Sequence, residues 1–426
     1  MNHQGLGTLA LLRLGLPALP LAFVALPLYM YWPHHVATQF GIPLALLGGL
    51  LFVARLFDTL IDPALGYAVD RMLSHGALRL LKRSLLAATL MAVSFVFLFF
   101  PQWVLGRALT LDALLLLLAV LLVVCYVCFS FLNIALQSWG ARMGGDTVQR
   151  SRLVAWREGL GLLGVVVASV IPSWLGLDVM VSVMVLLTAL ALWAWWEAPR
   201  PAPSTDAASG WRLLLEPWQH AGFKRLLGVF VFNGIASAIP ATLMLFFVQD
   251  RLQLPPETQM QFLGAYFLAA ALSFPVWLRL IAVWGLSRTW LLGMGLAVLV
   301  FVWTLALGAG DAGAFTLICV LSGLALGADL IVPSALLNGL LQTHDANSGH
   351  SGAFYGWWQV ATKLNLALAA GLALPLLGWL GYAPGAQDAP ALLALSWTYG
   401  LLPCILKIIA MLLLLRIPSE PLKEHP

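Results

Sequence analysis

Charge is what this chain has least of. Asp, Glu, Lys and Arg together make up 9% of its 426 residues, against 61% hydrophobic ones, whereas soluble domains carry about 25% charged residues. With a mean hydropathy of +0.93, that scarcity excludes water-soluble enzymes and nucleic-acid-binding proteins and leaves a polytopic membrane protein. Cysteine is scarce too. Of four, Cys125 and Cys128 share one apolar run while Cys319 and Cys404 lie in two others, so no disulfide framework is implied. Cys125-x-x-Cys128 has neither a second pair nor a nearby histidine, so it reads as core packing rather than redox or metal chemistry. Acids are outnumbered, 18 against 22 Lys and Arg, an excess that reads as membrane sidedness and not as an anionic partner. Long hydrophilic stretches are missing save one, Glu197 to Gly222. No large extramembrane domain is left room.

What is there is apolar sequence cut into lengths. At about 35 residues per helix and loop, the chain accommodates about twelve spans. Charges, Pro and Gly place them near 10–32, 43–70, 82–104, 111–141, 151–174, 178–196, 224–249, 258–282, 287–308, 313–341, 352–382 and 391–416. The first is read as a retained helix, since the apolar run to about Tyr31 exceeds a secretory leader. With a cytoplasmic N-terminus the inner side collects most of the basic residues, from Arg71, Arg79, Lys82 and Arg83 to Arg416 and Lys423. The outer side collects only Arg107 and Arg251. Both termini are therefore expected on the cytoplasmic side of a cell membrane. The segment 197–222 splits the spans six and six, giving an N-terminal bundle over 1–196 and a C-terminal bundle over 223–426. Two such halves resemble the architecture of major facilitator transporters, where substrate sits near the membrane midplane between them.

An ionised side chain at mid-bilayer costs at least about 2.5 to 3.5 kcal/mol, so buried charges need partners, water or a task. The second span places Arg55, Asp58 and Asp62 at i, i+3 and i+7, on one stripe facing one cavity. Counting from Asp70 as the inner end, Asp62 lies about 12 Å and Asp58 about 18 Å deep. Two carboxylates one turn apart do not both stay ionised without a cation between them or Arg55 beside one. They form a protonatable or cation-binding pair, and Pro63 frees the Thr59 carbonyl as an additional ligand. The rival reading is a packed ion pair that holds helices together. Lys363 in the eleventh span lies at a depth matching Asp58 and has no acid in its own helix, so it is expected to pair across the bundle. Asn133 and Gln137, one turn apart, are neutral ligands for cation or solute, or else interhelical glue. Arg157 and Glu158 are about 100° apart, which argues for separate partners and makes Arg157 the cavity residue. Lys407 lies about 14 Å in and has no partner in its own helix.

Other signals carry less. Gly159-Leu-Gly161-Leu-Leu-Gly164 matches a dinucleotide fingerprint but no strand precedes it, and Gly164 with Ala168 reads better as a packing face. His34-His35 falls in the first outer loop and reads as a solvated turn. Trp32, Trp103, Trp174 and Trp196 fit interfacial belts. Trp357 and Trp358, about two turns from Lys363, are the better pocket candidates, with Gln359 beside them. Asp70-Arg71 with the basic loop that follows looks like a cytoplasmic gate, plain positive-inside charge being the rival reading.

At this point the chain resembles the glycoside-pentoside-hexuronide:cation symporters, which include melibiose permease. The second span carries that family's pattern as Ala54-Arg55-Leu-Phe-Asp58-Thr-Leu-Ile-Asp62-Pro63-Ala-Leu-Gly66. Trp139-Gly-Ala-Arg-Met143, Asp146, Arg150, Arg152 and Arg157-Glu-Gly159 are similar to its loop between spans four and five. Gly327-Ala-Asp329-Leu-Ile-Val-Pro333 and Lys363 follow in order. The resemblance implies that Asp58 and Asp62 bind the coupling Na⁺ or H⁺ with Lys363 beside them, and that Asp146, Arg150 and Arg152 belong to the gate. It also marks departures. Asn133 stands where sugar-transporting members have an acid and Gln137 where they have an aromatic platform, and the first span lacks their other sugar-binding acid.

The expectation is therefore an all-α polytopic membrane protein of twelve transmembrane helices that transports a small organic solute by alternating access, coupled to H⁺ or Na⁺. It is expected to be a monomer, to need no cofactor and no metal beyond that ion, and not to be an enzyme or to bind nucleic acid. Because both sugar-binding acids are lost, a lipid-like or amphipathic substrate is the second hypothesis. A non-transporting sensor or scaffold is the third.

Overall fold

A computed structural model describes residues 6–105, 110–201, 211–255, 258–344 and 350–416. Arg107, Lys423 and the middle of the expected linker, 202–210, lie outside the described residues. The chain is helical throughout them: α1 (Thr8–Gly15), α2 (Ala18–Phe40), α3 (Leu44–Ser74), α4 (Ala77–Phe99), α5 (Gln102–Leu105), α6 (Leu111–Ala141), α7 (Thr147–Leu175), α8 (Leu177–Trp196), α9 (Ala221–Phe246), α10 (Thr258–Trp284), α11 (Leu286–Phe301), α12 (Ala312–His344), α13 (Ser351–Trp379), α14 (Ala389–Ser396) and α15 (Leu402–Leu415). Eleven helical segments are long and apolar enough to cross a membrane. The helix outside that set, α3, has the length at 31 residues, about 46 Å, but carries the charged stripe. Leu60 and Val283 stand 71% and 76% exposed, as large apolar side chains can where acyl chains rather than water solvate a helix surface.

The helices divide into two compact units. The first comprises residues 1–145, 152–217 and 344–360, the second 146–151, 218–343 and 361–426. Two helices therefore change unit along their length. Residues 351–360 of α13 belong to the first unit and the rest to the second, and α7 changes the other way at Ser151. Inside the first unit α6 packs on α3 and α4, with Trp139 and Trp195 edge to face at 5.5 Å. Inside the second, α15 packs on α9 and α11, and Tyr399 stacks on Phe247 at 4.0 Å.

Two expectations about the first span are corrected. The helix does not stop near residue 32 but runs to Phe40, where Gly41 ends it in the left-handed conformation, φ 64°. His34 and His35 are therefore helical and not in a loop, and His35 Nε2 lies 3.1 Å from the Phe99 carbonyl. Trp32 is fully buried and donates to the Leu98 carbonyl at 2.8 Å, so it is no interfacial belt residue. Trp103 and Trp196 are exposed as a belt requires.

Close backbone approach fixes two glycines in the first unit. An added Cβ on Gly66 would overlap the Gly352 carbonyl, and one on Gly164 would overlap the Leu19 carbonyl. Gly66→Ala is expected to cost about 1 to 3 kcal/mol through overpacking against backbone that cannot rotate away, read as a lowered midpoint in thermal unfolding of the detergent-solubilised protein. Gly228→Ala, where the space is open, is the control and should leave it unchanged.

Candidate functional site

Three acids descend α3, and each meets a different neighbourhood in the first unit. Asp58 is 1% exposed. The Ser130 hydroxyl of α6 donates to its Oδ1 at 2.7 Å, and Arg55 brings Nη1 to 3.9 Å from Oδ2. Arg55 itself is exposed and its guanidinium lies over the Tyr126 ring, 5.1 Å from the centroid, a favourable cation–π distance. With Tyr29, Tyr126 and Phe129 it lines a cavity of about 30 Å³. Asp62, one turn below Asp58, is 0% exposed. Its carbonyl lies against α13, so that a Cβ on Gly356 would fall 2.7 Å from it. Thr59 spends its hydroxyl proton on the Arg55 carbonyl at 2.9 Å, which leaves its oxygen lone pairs open to a further donor or cation.

Asn133 and Gln137 follow Ser130 at i+3 and i+7, hence on its face of α6, and both are half-buried. Gln137 Oε1 is buried and accepts no hydrogen bond from the described residues. The sequence reading missed Ser130 and Tyr126. A signal for Ser130 was present, because its spacing to Asn133 and Gln137 repeats the Arg55, Asp58, Asp62 spacing on the facing helix.

Asp70 closes the far end of α3. Its Oδ1 accepts from Arg142 Nη2 and from the Gly352 amide, both at 2.7 Å, and its Oδ2 accepts from the Ala353 amide at 2.8 Å. Arg142 Nε donates to Ser351 Oγ at 3.0 Å. The carboxylate thus occupies the start of α13, where orphan amides and the helix dipole favour an anion. Arg71 is separate from this arrangement: it is exposed, and its carbonyl accepts from Ser74 Oγ at 2.9 Å. Asp146 accepts from the Gln149 amide at 2.7 Å and caps α7. Arg150 Nη2 donates to Thr147 Oγ1 at 3.0 Å, and its Nη1 reaches Gln342 Oε1 within the second unit. Arg152 is half-buried and lies in the first unit.

The expected separation of Arg157 from Glu158 is corrected. Arg157 Nε and Nη2 both donate to Glu158 Oε1, at 3.1 and 2.7 Å, because a guanidinium on a three-carbon stem reaches around the 100° between successive positions. Trp357 has a partner within the first unit. Its indole N–H donates to the Leu214 carbonyl at 2.7 Å, which ties the short helical turn Trp211–Gln219 to α13, and His350 Nδ1 pairs with Glu216 Oε2 of that turn at 2.7 Å. Trp358 is 4% exposed, and Gln359 and Lys363 are half-buried, Lys363 on the stretch of α13 that belongs to the second unit.

Against known proteins, a family model described as MFS/sugar transport protein matches residues 14–420. The chain belongs to the MFS/sugar transport protein family. It is 23% identical over 399 residues to an uncharacterized symporter, YjmB, of Bacillus subtilis (strain 168), covering 88% of this chain and 84% of that one. In fold it is similar to a bacterial homologue of the iron transporter ferroportin in its outward-facing state, with a TM-score of 0.72, 16% identity, and 96% and 99% of the two chains covered. It is also similar to the E. coli fucose:proton symporter FucP, at 0.64 and 14% over 94% and 97%. As an MFS family member the chain is a multi-pass membrane protein and a secondary transporter, and not an enzyme.

Proposed function

We propose that this transporter is a proton-coupled symporter for a small organic solute, with Asp58 and Asp62 carrying the coupling proton. The observation that carries the reading is the pair itself: two acids one turn apart on α3, 1% and 0% exposed. Buried ionisable groups in a membrane segment are expensive and are kept where protons or ions move. Ser130 donates to one oxygen of Asp58, and Asn133 and Gln137 on the same face of α6 are neutral where a third acid would add an anionic ligand for Na⁺, which favours the proton as coupling ion. Proton arrival neutralises the pair and favours the conformation in which neutral acids are cheapest, so the gradient acts through a difference in proton affinity between two states. Arg55, Tyr126 and Tyr29, the side chains around the small cavity of the first unit, are the solute contacts in this reading, with Asn133 and Gln137. A guanidinium and phenols present several hydrogen-bond donors, which suits a hydroxylated or carboxylated solute such as a sugar or sugar acid. Both termini lie on the cytoplasmic side, from the distribution of basic residues, and a monomer suffices.

The test is solute-induced pH change in proteoliposomes loaded with a pH-sensitive dye, screened with monosaccharides, sugar acids and lysolipids, with and without Na⁺. Proton movement on addition of a sugar or sugar acid, independent of Na⁺, is the expected result. Strict Na⁺ dependence without proton movement would assign the pair to Na⁺, and a response to lysolipids alone would overturn the solute class.

A further inference from the structure

Lys407 has a partner after all, and it lies beside a cavity. Within the second unit its Nζ donates to Asn233 Oδ1 at 2.6 Å and to Asp329 Oδ2 at 2.7 Å, while Asp329 Oδ1 accepts from Trp290 Nε1 at 2.8 Å. The Lys407 and Asp329 side chains are 10% and 9% exposed. A buried ion pair is weak evidence for stability, since apolar residues of like volume often do as well or better. This one borders a cavity of about 130 Å³, whose walls include Phe262, Tyr266, Phe301 and Tyr399. The Tyr399 ring is fixed by its stack on Phe247 and by Phe301 at 5.4 Å. A preformed aromatic cavity of this size matches one that takes a benzene-sized guest, about 150 Å³ in an engineered case.

An ammonium has three N–H donors, and among the described residues Asn233 and Asp329 take two of them. The third has no protein acceptor there, and Lys407 lines the cavity. Lys407 and Asp329 together are neutral, so a guest anion would add a net buried charge. A neutral acceptor completes the ammonium without that cost. We propose that the second unit holds a binding site of its own for a small neutral amphiphile, an aromatic or cyclic body bearing one hydroxyl or carbonyl that accepts from Lys407. Such molecules partition into the bilayer and reach a membrane-embedded site from there. The site is independent of Asp58 and Asp62, so its failure would not touch the coupling proposal.

The experiment is titration of the full chain in nanodiscs with benzyl alcohol, toluene and benzoate, followed by saturation-transfer NMR against empty nanodiscs. Saturable binding of benzyl alcohol, about tenfold tighter than toluene as a charge-assisted hydrogen bond allows, and weaker binding of benzoate are expected. Ala297→Leu, which fills the cavity from a buried wall position, abolishes it. Ala241→Phe, at an exposed lining residue, does the same without burdening the core. Lys407→Met combined with Asp329→Asn keeps the cluster neutral and removes the preference for benzyl alcohol over toluene. No saturable binding, binding unchanged in both filled variants, or benzoate binding tightest would each overturn the proposal. So would a retained lipid, seen by native mass spectrometry in the parent and absent from Ala241→Phe, which would make the cavity an acyl-chain site.

Discussion

On the proposed coupling, Asp58→Asn together with Asp62→Asn is expected to abolish ion-driven accumulation of solute while downhill exchange of the same solute persists. An amide cannot take up or release the coupling proton, so the gradient loses its hold on the conformational equilibrium. To carry a two-state protein from about 1:99 to 99:1, an ion must bind one state about 10⁴-fold more tightly, roughly 5.5 kcal/mol. A pair that never ionises contributes none of it. The fold should survive, because the amide oxygen introduced by Asp58→Asn would still accept from the Ser130 hydroxyl that now serves the carboxylate at 2.7 Å. Substitution also removes two buried ionisable groups whose insertion is costly. Uptake against the gradient and counterflow are measured side by side in proteoliposomes with whichever solute moves protons in the screen. Accumulation at the parental level in the double variant would remove both acids from the mechanism, and loss of counterflow as well would mean that they hold the fold rather than the proton.

The second large effect is at the other end of α3. Asp70→Ala is expected to destabilise the first unit by about 3 to 5 kcal/mol, the usual penalty for removing one partner of a buried ion pair. Arg142, 10% exposed, would be left charged without its carboxylate, and the Gly352 and Ala353 amides would lose their acceptor. Asp70→Asn keeps the volume and one acceptor oxygen, so its cost should be smaller. Thermal unfolding in detergent reads the stability. Hydrogen exchange at residues 351–355 reads the helix start, where exchange should accelerate in the order parent, Asp70→Asn, Asp70→Ala. Equal exchange in all three would mean that the carboxylate does not hold the start of α13. Because α13 passes from the first unit to the second, transport in Asp70→Ala is expected to slow beyond its loss of stability, read as initial uptake per folded protein.

How much of this was legible varied with distance along the chain. The stripe Arg55, Asp58, Asp62 was readable because helical periodicity fixes which residues share a face, and it does so within one segment. The Gly41 stop was not read, and the first helix was cut short of its end at Phe40, because aromatic and histidine residues near the interface fit a belt or a loop as well as a helix. Arg157 and Glu158 were separated by the same periodicity. Backbone angle alone ignores the reach of a long side chain.

Composition and periodicity determined by themselves that this is a membrane protein of about twelve spans with ionisable groups held where lipid would not tolerate them. Only the tertiary structure decided which groups those charges meet. Ser130 is 72 residues from Asp58, Asp329 is 78 from Lys407, and Asp70 is 282 from Gly352. Helical repetition carries information over one or two turns, whereas the pairing of one helix with another is set by packing summed over their whole lengths, which no local pattern encodes.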